Sequence, residues 1–169
     1  MNPENIFCSV VLGNDFDYVL FKTAIYFAES GLNVWLISPE ALKKFRTILF
    51  HQKRNYLKDY KDLLSHLNSV HLWHKIPNII ILSDFDKYCN LYSDCYNPIL
   101  SALVSATLLD SISVCSKKKQ KPCYLICTCS PAENSYTDRF QVLRDMYFPH
   151  VINKLCDKLL FDEIIGYFT

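Results

Sequence analysis

Ile6 to Leu12 is an apolar run that stops at Gly13. Such a run predicts a strand buried on both faces, as strands of a parallel sheet are. Val19, Leu20, Thr23, Ala24, Phe27 and Ala28 then recur at helical spacing, and Phe21 and Ile25 widen the stripe. This predicts a well-buried helix from about Asp17 to Ser30, closed by Gly31 just past its end. Leu32 to Ile37 predicts a second strand, ended by Ser38-Pro39. Strand, helix and strand with so tight a return make a βαβ unit with a right-handed crossover.

The alternation continues. Thr47 to Phe50 predicts a short third strand, and Tyr56, Tyr60, Leu63, Leu64, Leu67 and His71 mark an amphipathic helix. Asn78 to Leu82 is β-branched and strand-like. Pro98 to about Cys115 predicts a helix with Pro98 in its first turn and Ile99, Leu100, Leu103, Val104, Leu108 and Ile112 on its buried side. Lys117 to Pro122 reads as a basic loop, Cys123 to Cys129 as another buried strand, and Tyr136 to Tyr147 as a helix. Val151 to Leu155, Leu159 to Phe161 and Ile164 to Phe168 read as short strands. The whole predicts an α/β fold, a mainly parallel sheet with helices on both faces. Residues 1–169 show no repeat, low-complexity stretch or linker, and their number suits one domain.

Composition narrows the function classes. Half of the chain is hydrophobic and 14% is aromatic, enough for a packed core and too much for a disordered chain. A net charge of +1 gives no global field, so contact with nucleic acid would need a local patch. The first residues lack the basic and apolar regions of a signal peptide, and no apolar run approaches the ~20 residues of a bilayer span. The expectation is an intracellular protein with no membrane partner. Most of the 8 Cys, among them Cys8, Cys115, Cys123, Cys127 and Cys129, fall inside apolar patterns and read as reduced, buried thiols.

In an open α/β sheet, ligands bind beyond the carboxyl ends of the strands. A phosphate cradle after the first strand reads G-x-x-x-x-G-K-[ST]. Its glycines let backbone N–H groups wrap the phosphates, its Lys neutralises them, and its hydroxyl ligates magnesium. Here the stretch is Gly13-Asn14-Asp15-Phe16-Asp17-Tyr18-Val19-Leu20. Gly13 is in place, but Tyr18, Val19 and Leu20 stand where the second Gly, the Lys and the hydroxyl belong. A carboxylate about 4 Å from a phosphate charge costs about 4 kcal/mol at an effective dielectric near 20. Asp15 or Asp17 is therefore expected to cap the helix in place of a ligand. Lys22-Thr23 comes one turn too late, with no glycine before it, and reads as a helix-interior pair. The magnesium-positioning acid of such sites ends a hydrophobic strand. After Ile79-Ile80-Ile81-Leu82 comes Ser83, with Asp84 one residue late and pointing the other way on a strand. Asp84 and Asp86 read as solvated or capping acids. The nucleotide site is degenerate, so no cofactor and no ATPase activity are expected.

Lys117, Lys118, Lys119 and Lys121 form the dense basic cluster of the chain, the candidate contact for nucleic-acid phosphates. The loop precedes a strand, which puts it on the opposite side of the sheet from the crevice. No aromatic residue interleaves it for base stacking, so a solvated loop is the preferred reading. Cys123, Cys127 and Cys129 share one strand face and lack the C-x2-C turn that zinc favours. His51, His66, His71, His74 and His150 offer no paired metal spacing. No acid, base or nucleophile is nominated by spacing, so no catalytic or metal residue is assigned.

Three stretches carry a resemblance: the first strand with Gly13 and its apolar helix; Ile79-Ile80-Ile81-Leu82-Ser83-Asp84-Phe85-Asp86-Lys87-Tyr88; and Leu143-Arg144-Asp145-Met146-Tyr147-Phe148-Pro149. From Ile6 to about Leu155 the chain resembles the RecA-type ATPase core of eukaryotic recombinase paralogues. Within that group it is most similar to the small RecA-like partner of SWIM-domain proteins in Shu-type complexes. Members with an intact P-loop keep the Gly-Lys-Thr that is missing here, so their activity does not carry over. The family's usual C-terminal strands are also mostly absent. The resemblance implies a single RecA-like, P-loop-type domain, non-catalytic and nuclear. It implies a heterodimer with a zinc-binding SWIM-domain protein, promoting recombinase filaments on single-stranded DNA in homologous recombination. Phe21-Lys22-Thr23-Ala24 matches the Phe-x-x-Ala pattern by which recombinases dock a neighbour, but its place on a buried helix favours core packing. Two other readings stand beside this one. One is a RecA-fold pseudo-ATPase of an assembly such as the Elongator tRNA-modification subcomplex. The other is an unconventional ATPase using Asp84 and a partner's Lys. Tyr88, Tyr92, Tyr96 and Tyr147 are candidates for a partner face.

Overall fold

The protein is seen in a computed structural model that describes residues 6–40, 53–131, 137–153 and 156–168. The strand expected at Thr47 to Phe50 lies outside them. The strands are β1 (Ile6–Leu12), β2 (Val34–Ser38), β3 (Lys53–Tyr56), β4 (Ile79–Leu82), β5 (Cys123–Cys129) and β6 (His150–Asn153). They form one six-stranded sheet in the order β3-β2-β4-β5-β1-β6. Every pairing is parallel. The apolar runs have the reason expected of them: β2, β4 and nearly all of β5 are buried on both faces.

The helices are α1 (Asp17–Glu29), α2 (Tyr60–Asn68), α3 (Phe85–Cys89), α4 (Pro98–Lys119), α5 (Thr137–Tyr147) and α6 (Asp157–Phe168). One face of the sheet packs Leu63 and Leu67 of α2, Leu108 and Ile112 of α4, and Phe140 and Leu143 of α5. The other packs Leu20, Ala24 and Phe27 of α1 with Leu160 and Ile164 of α6. Strands β4 and β5 separate β1 from β2. In dinucleotide-binding and flavodoxin-like sheets the first two strands are neighbours. Adjacent strands β1 and β5 feed helices on opposite faces, α1 and α5, which opens a crevice where their loops part.

Local chemistry explains the boundaries. Leu32 N–H bonds to Phe27 C=O at 3.0 Å and Gly31 N–H to Ala28 C=O at 2.9 Å. With Gly31 at φ 80, this is the glycine-ended stop predicted for α1. Asp59 accepts from Lys61 N–H and Asp62 N–H at 2.9 and 3.0 Å and starts α2. Tyr56, expected in that helix, instead ends β3. Helix α4 runs beyond Cys115 to Lys119, so Lys117, Lys118 and Lys119 are its last turn and not a loop. Lysines there complement the negative end of the helix dipole, and Gln120 at φ 54 closes it.

Two further expectations are corrected. The strands expected at Leu159 to Phe161 and Ile164 to Phe168 are one helix, α6. Leu160 and Ile164, four apart, are buried, while Asp162 and Glu163 between them are exposed. That is the 3.6-residue period, obscured by its short run of apolar neighbours. Helix α4, at 22 residues and mean hydropathy 1.7, is long and apolar enough to cross a membrane by length and composition. It packs here against α2, α5 and β5 as a core helix. Its buried side carries Ser101, Ser105, Ser111 and Ser116. Ser101, Ser105 and Ser111 return their hydroxyls to the carbonyls of Asn97, Ser101 and Thr107 at 3.1, 2.8 and 2.7 Å, so small side chains are buried without orphaned donors. Ile99 and Leu103, expected on the buried side, instead lie on its outer side, 79% and 51% exposed, because the serines take their places against the core.

Candidate functional site

A cavity of about 740 Å³ opens at the carboxyl ends of the strands. Asn14, Asp15, Phe16, Asp17 and Tyr18 line it from the loop after β1, Ser38 and Glu40 from β2, and Ser83, Asp84 and Lys87 from β4 and α3. Thr128 and Ser130 come from β5, and Asp157 from the start of α6. This is where an open parallel sheet holds ligands. Each side chain arrives because its strand ends there.

The residues standing for the cradle fall in different places. Tyr18 lines the cavity and is 51% exposed, whereas Val19 and Leu20 are 0% and 1% exposed, packed into the core under α1. A cation or hydroxyl at positions 19 and 20 would be buried among Ile79, Ile81 and Ile126. The cap is also corrected. The N-cap position of α1 is Phe16, which has no side-chain acceptor. Asp15 precedes it in a left-handed conformation, φ 53, and Asp17 occupies the first turn, where a negative charge complements the helix dipole. Lys22 sits over the Phe161 ring at 4.0 Å. Phe21, Thr23 and Ala24 are buried, so the Phe-x-x-Ala match is core packing.

Asp84 departs from its expected place. It does not continue β4 but turns at φ 55, and that left-handed step swings it into the cavity. Its N–H donates to Thr128 Oγ1 at 3.2 Å, and Ser83 Oγ donates to its Oδ2 at 3.3 Å. Asp86 is neither solvated nor a cap. It is 7% exposed and accepts the Ser130 N–H at 2.9 Å, which ties α3 to the loop leaving β5. Burial raises its carboxyl pKa, and Asp84 adds to that; the backbone N–H bonds and Lys87 pull it the other way.

Lys87 was not nominated from sequence. Its Nζ lies 3.6 Å from Asp84 Oδ1 and 3.4 Å from Glu40 Oε1. Burial of the stem opposes the charge, but Asp84 and Glu40 outweigh it and hold the ammonium above the ordinary lysine range. The signal was weak: α3 has five residues, too few for a helical period, and Glu40 is 47 residues away. Among the described residues, the cavity lining carries the carboxylates of Asp15, Asp17, Glu40, Asp84 and Asp157 and the ammonium of Lys87. A triphosphate entering it would meet these carboxylates and, at Lys87, an ammonium already engaged twice.

Other candidates resolve simply. Cys8, Cys89, Cys115, Cys123, Cys127 and Cys129 are buried, and burial pushes the thiols of Cys8 and Cys89 up to about 12. Such thiols are poor nucleophiles and poor metal ligands. No group of three or more His, Cys, Asp or Glu able to hold a metal occurs among the described residues. The proposed partner-face tyrosines turn inward. Tyr88 is 2% exposed and donates to Leu57 C=O at 2.7 Å; half-buried Tyr92 donates to Ser130 C=O at 2.6 Å. Tyr96 lies under the Arg139 guanidinium at 4.6 Å, and Tyr147 is partly buried. The exposed apolar side chains on these elements are Ile99 and Leu103 on α4 with Val142 and Met146 on the adjoining α5. The lysines at 117, 118, 119 and 121 lie at the strand-start edge, away from the cavity, as their position before β5 implies. No protein-family model matches the sequence, and no curated protein matches it.

Proposed function

We propose that this chain is a RecA-like, P-loop-type subunit without nucleotide chemistry. In this reading it pairs with a SWIM-domain protein and supports recombinase function in homologous recombination, in the nucleus. One observation carries the first half. The cavity stands where a phosphate ligand would bind, yet its lining among the described residues carries five carboxylates and one lysine, which is doubly paired. The residues replacing the cradle's Lys and hydroxyl, Val19 and Leu20, face the core. A fold kept around an erased phosphate site is the signature of a scaffold. Pairing draws support from the exposed apolar side chains Ile99 and Leu103 on α4 and Val142 and Met146 on α5, which packs against α4. The SWIM-domain partner and the recombination role rest on the three motif stretches alone.

The test is co-expression with the SWIM-domain protein of the same organism, followed by size-exclusion chromatography. A stoichiometric complex is expected, and Ile99→Lys with Met146→Lys should abolish it while leaving the far-ultraviolet spectrum intact. Two proteins eluting apart would remove the pairing. A fluorescent ATP analogue with magnesium gives the second arm. Saturable binding that is lost in Asp84→Ala would replace the scaffold by an unconventional ATPase.

A further inference from the structure

Helices α4 and α5 each lead into a parallel strand and pack on the same face of the sheet, so they run side by side in one direction. Arg139, in the first turn of α5, donates to the carbonyls of Leu91 and Ser93 at 3.0 and 2.9 Å and covers the Tyr96 ring at 4.6 Å. These contacts set the start of α5 beside the start of α4. Val142 and Met146 follow Arg139 at the intervals at which Ile99 and Leu103 follow Tyr96 (142 − 139 = 99 − 96; 146 − 139 = 103 − 96). At about 1.5 Å per residue, the two exposed apolar pairs therefore come level on neighbouring helices.

Small side chains lie between them. Ser111 Oγ donates to the Leu67 carbonyl of α2 at 3.3 Å, which fixes the flank of α4 that faces α2. Ala102 lies about half a circumference around the helix from Ser111, at about 100° per residue, on the flank that faces α5. Ala106, one turn on, is exposed. The result is a shallow apolar trough between the two pairs. From Ile99 to Ala106 it runs about 10 Å, two helical turns.

The ends of the trough are acidic. Exposed Asp94 and Asp138 stand at the end where α4 and α5 begin, and exposed Asp110 stands one turn beyond Ala106. Among the described residues none of these three forms an ion pair, whereas Asp145 on α5 is paired with Arg144 at 2.8 Å. Lys117 shares the face of Asp110 but lies about 21 Å along the helix from Leu103, beyond the Debye length of about 10 Å in 0.1 M salt.

We infer that the α4–α5 face seats an amphipathic helix of a partner protein, one whose apolar stripe is bounded at both ends by Lys or Arg. The inference rests on the reading of this face as the partner face and adds the chemistry of what sits there. Two helices packed side by side leave a groove that suits a third, whose side chains at i, i+3 or i+4, and i+7 reach across two turns. Charge complementarity selects the basic ends. A second copy of the chain in the same place would set Asp94, Asp110 and Asp138 against like charges in either orientation, which opposes self-pairing.

The experiment is fluorescence anisotropy of the full chain, without a partner protein, against three labelled helical peptides of about 18 residues, long enough to cover the trough and both acidic ends. One carries a central Leu stripe at helical spacing with Lys at both ends, the second carries Glu in place of Lys, and the third scrambles the first. The Lys-ended peptide should bind saturably and about 8-fold or more tighter than the Glu-ended one, at about 2-fold for each exposed charge pair. Leu103→Ser with Met146→Ser should weaken its binding by roughly 10-fold or more. Asp94→Asn, Asp110→Asn and Asp138→Asn together should abolish the preference for Lys over Glu. All these side chains are exposed, so both variants should keep the wild-type circular dichroism melt. Absence of saturable binding, equal affinity for the Glu-ended or scrambled peptide, or undiminished binding by the serine variant would each overturn the inference. A dimer of the chain alone that the serine variant dissolves would assign the face to a second copy and overturn it too. Co-elution with a SWIM-domain protein is read separately. A complex formed by a chain that ignores the Lys-ended peptide would uphold the pairing and sink this inference, and peptide binding without co-elution would do the reverse.

Discussion

Asp86 offers the sharpest test of the physics around the cavity. Its carboxylate is 7% exposed and accepts Ser130 N–H at 2.9 Å. Two terms oppose each other. A hydrogen bond to a charged acceptor contributes about 1.5–3 kcal/mol, while burying that charge costs a comparable amount, and the raised pKa says burial prevails. Asp86→Ala removes the acceptor and leaves the Ser130 N–H short of a partner, so it should cost about 1–2 kcal/mol at neutral pH. Asp86→Asn keeps an Oδ1 acceptor and drops the charge, so it should equal or exceed the wild type. The sign of the pH dependence follows from the raised pKa. The folded state takes up the Asp86 proton more readily than the unfolded state does. The stability this adds is complete below the ordinary aspartate value of about 3.9 and is lost as pH rises through the raised folded value. Wild type should therefore gain on Asp86→Asn as the pH falls. Urea unfolding at pH 7 and pH 5, followed by the fluorescence of Trp35 and Trp73, reads both effects; the two indoles sit 4.0 Å apart and report the intact core. About 1 kcal/mol corresponds to roughly 2–4 °C in a parallel thermal melt. Asp86→Asn as unstable as Asp86→Ala, or a gap that moves the other way on acidification, would refute the reasoning.

Two smaller predictions concern the helices. Buried Thr23 Oγ1 in α1 finds no hydrogen-bond partner among the described residues, so Thr23→Val should stabilise the chain by about 1 kcal/mol in chemical denaturation; a loss would mean the hydroxyl is satisfied. Asn97 caps α4 by accepting Ile99 and Leu100 N–H at 2.9 and 3.3 Å, so Asn97→Ala should cost about 1 kcal/mol, and Asn97→Asp far less.

The alternation of runs was legible because buried parallel strands and amphipathic helices have different periods. β1, β5, α1 and α5 appear within a residue or so of their expected bounds. Gly31 marked the end of α1 for a reason local to its own backbone. The C-terminal helix escaped because Leu159, Leu160 and Phe161, adjacent in sequence, look like strand until α1 supplies the surface that sorts Leu160 and Ile164 from their neighbours. Helix α4 misled in the opposite sense: serines are buried where apolar residues are expected, since Ser101, Ser105 and Ser111 satisfy themselves on their own helix.

Sequence by itself determined that the first strand leads through Gly13 into a helix without the second glycine, the lysine or the hydroxyl that a phosphate cradle needs. That conclusion depends on residue types along one short segment. Tertiary structure alone decided that Asp84 turns into the cavity, that Lys87 is held between Asp84 and Glu40, and that Phe7 and Tyr124 stack across the β1–β5 register. Each depends on strand order and on a φ angle or a register, which bring together residues up to 117 positions apart (124 − 7), and no local pattern encodes that distance.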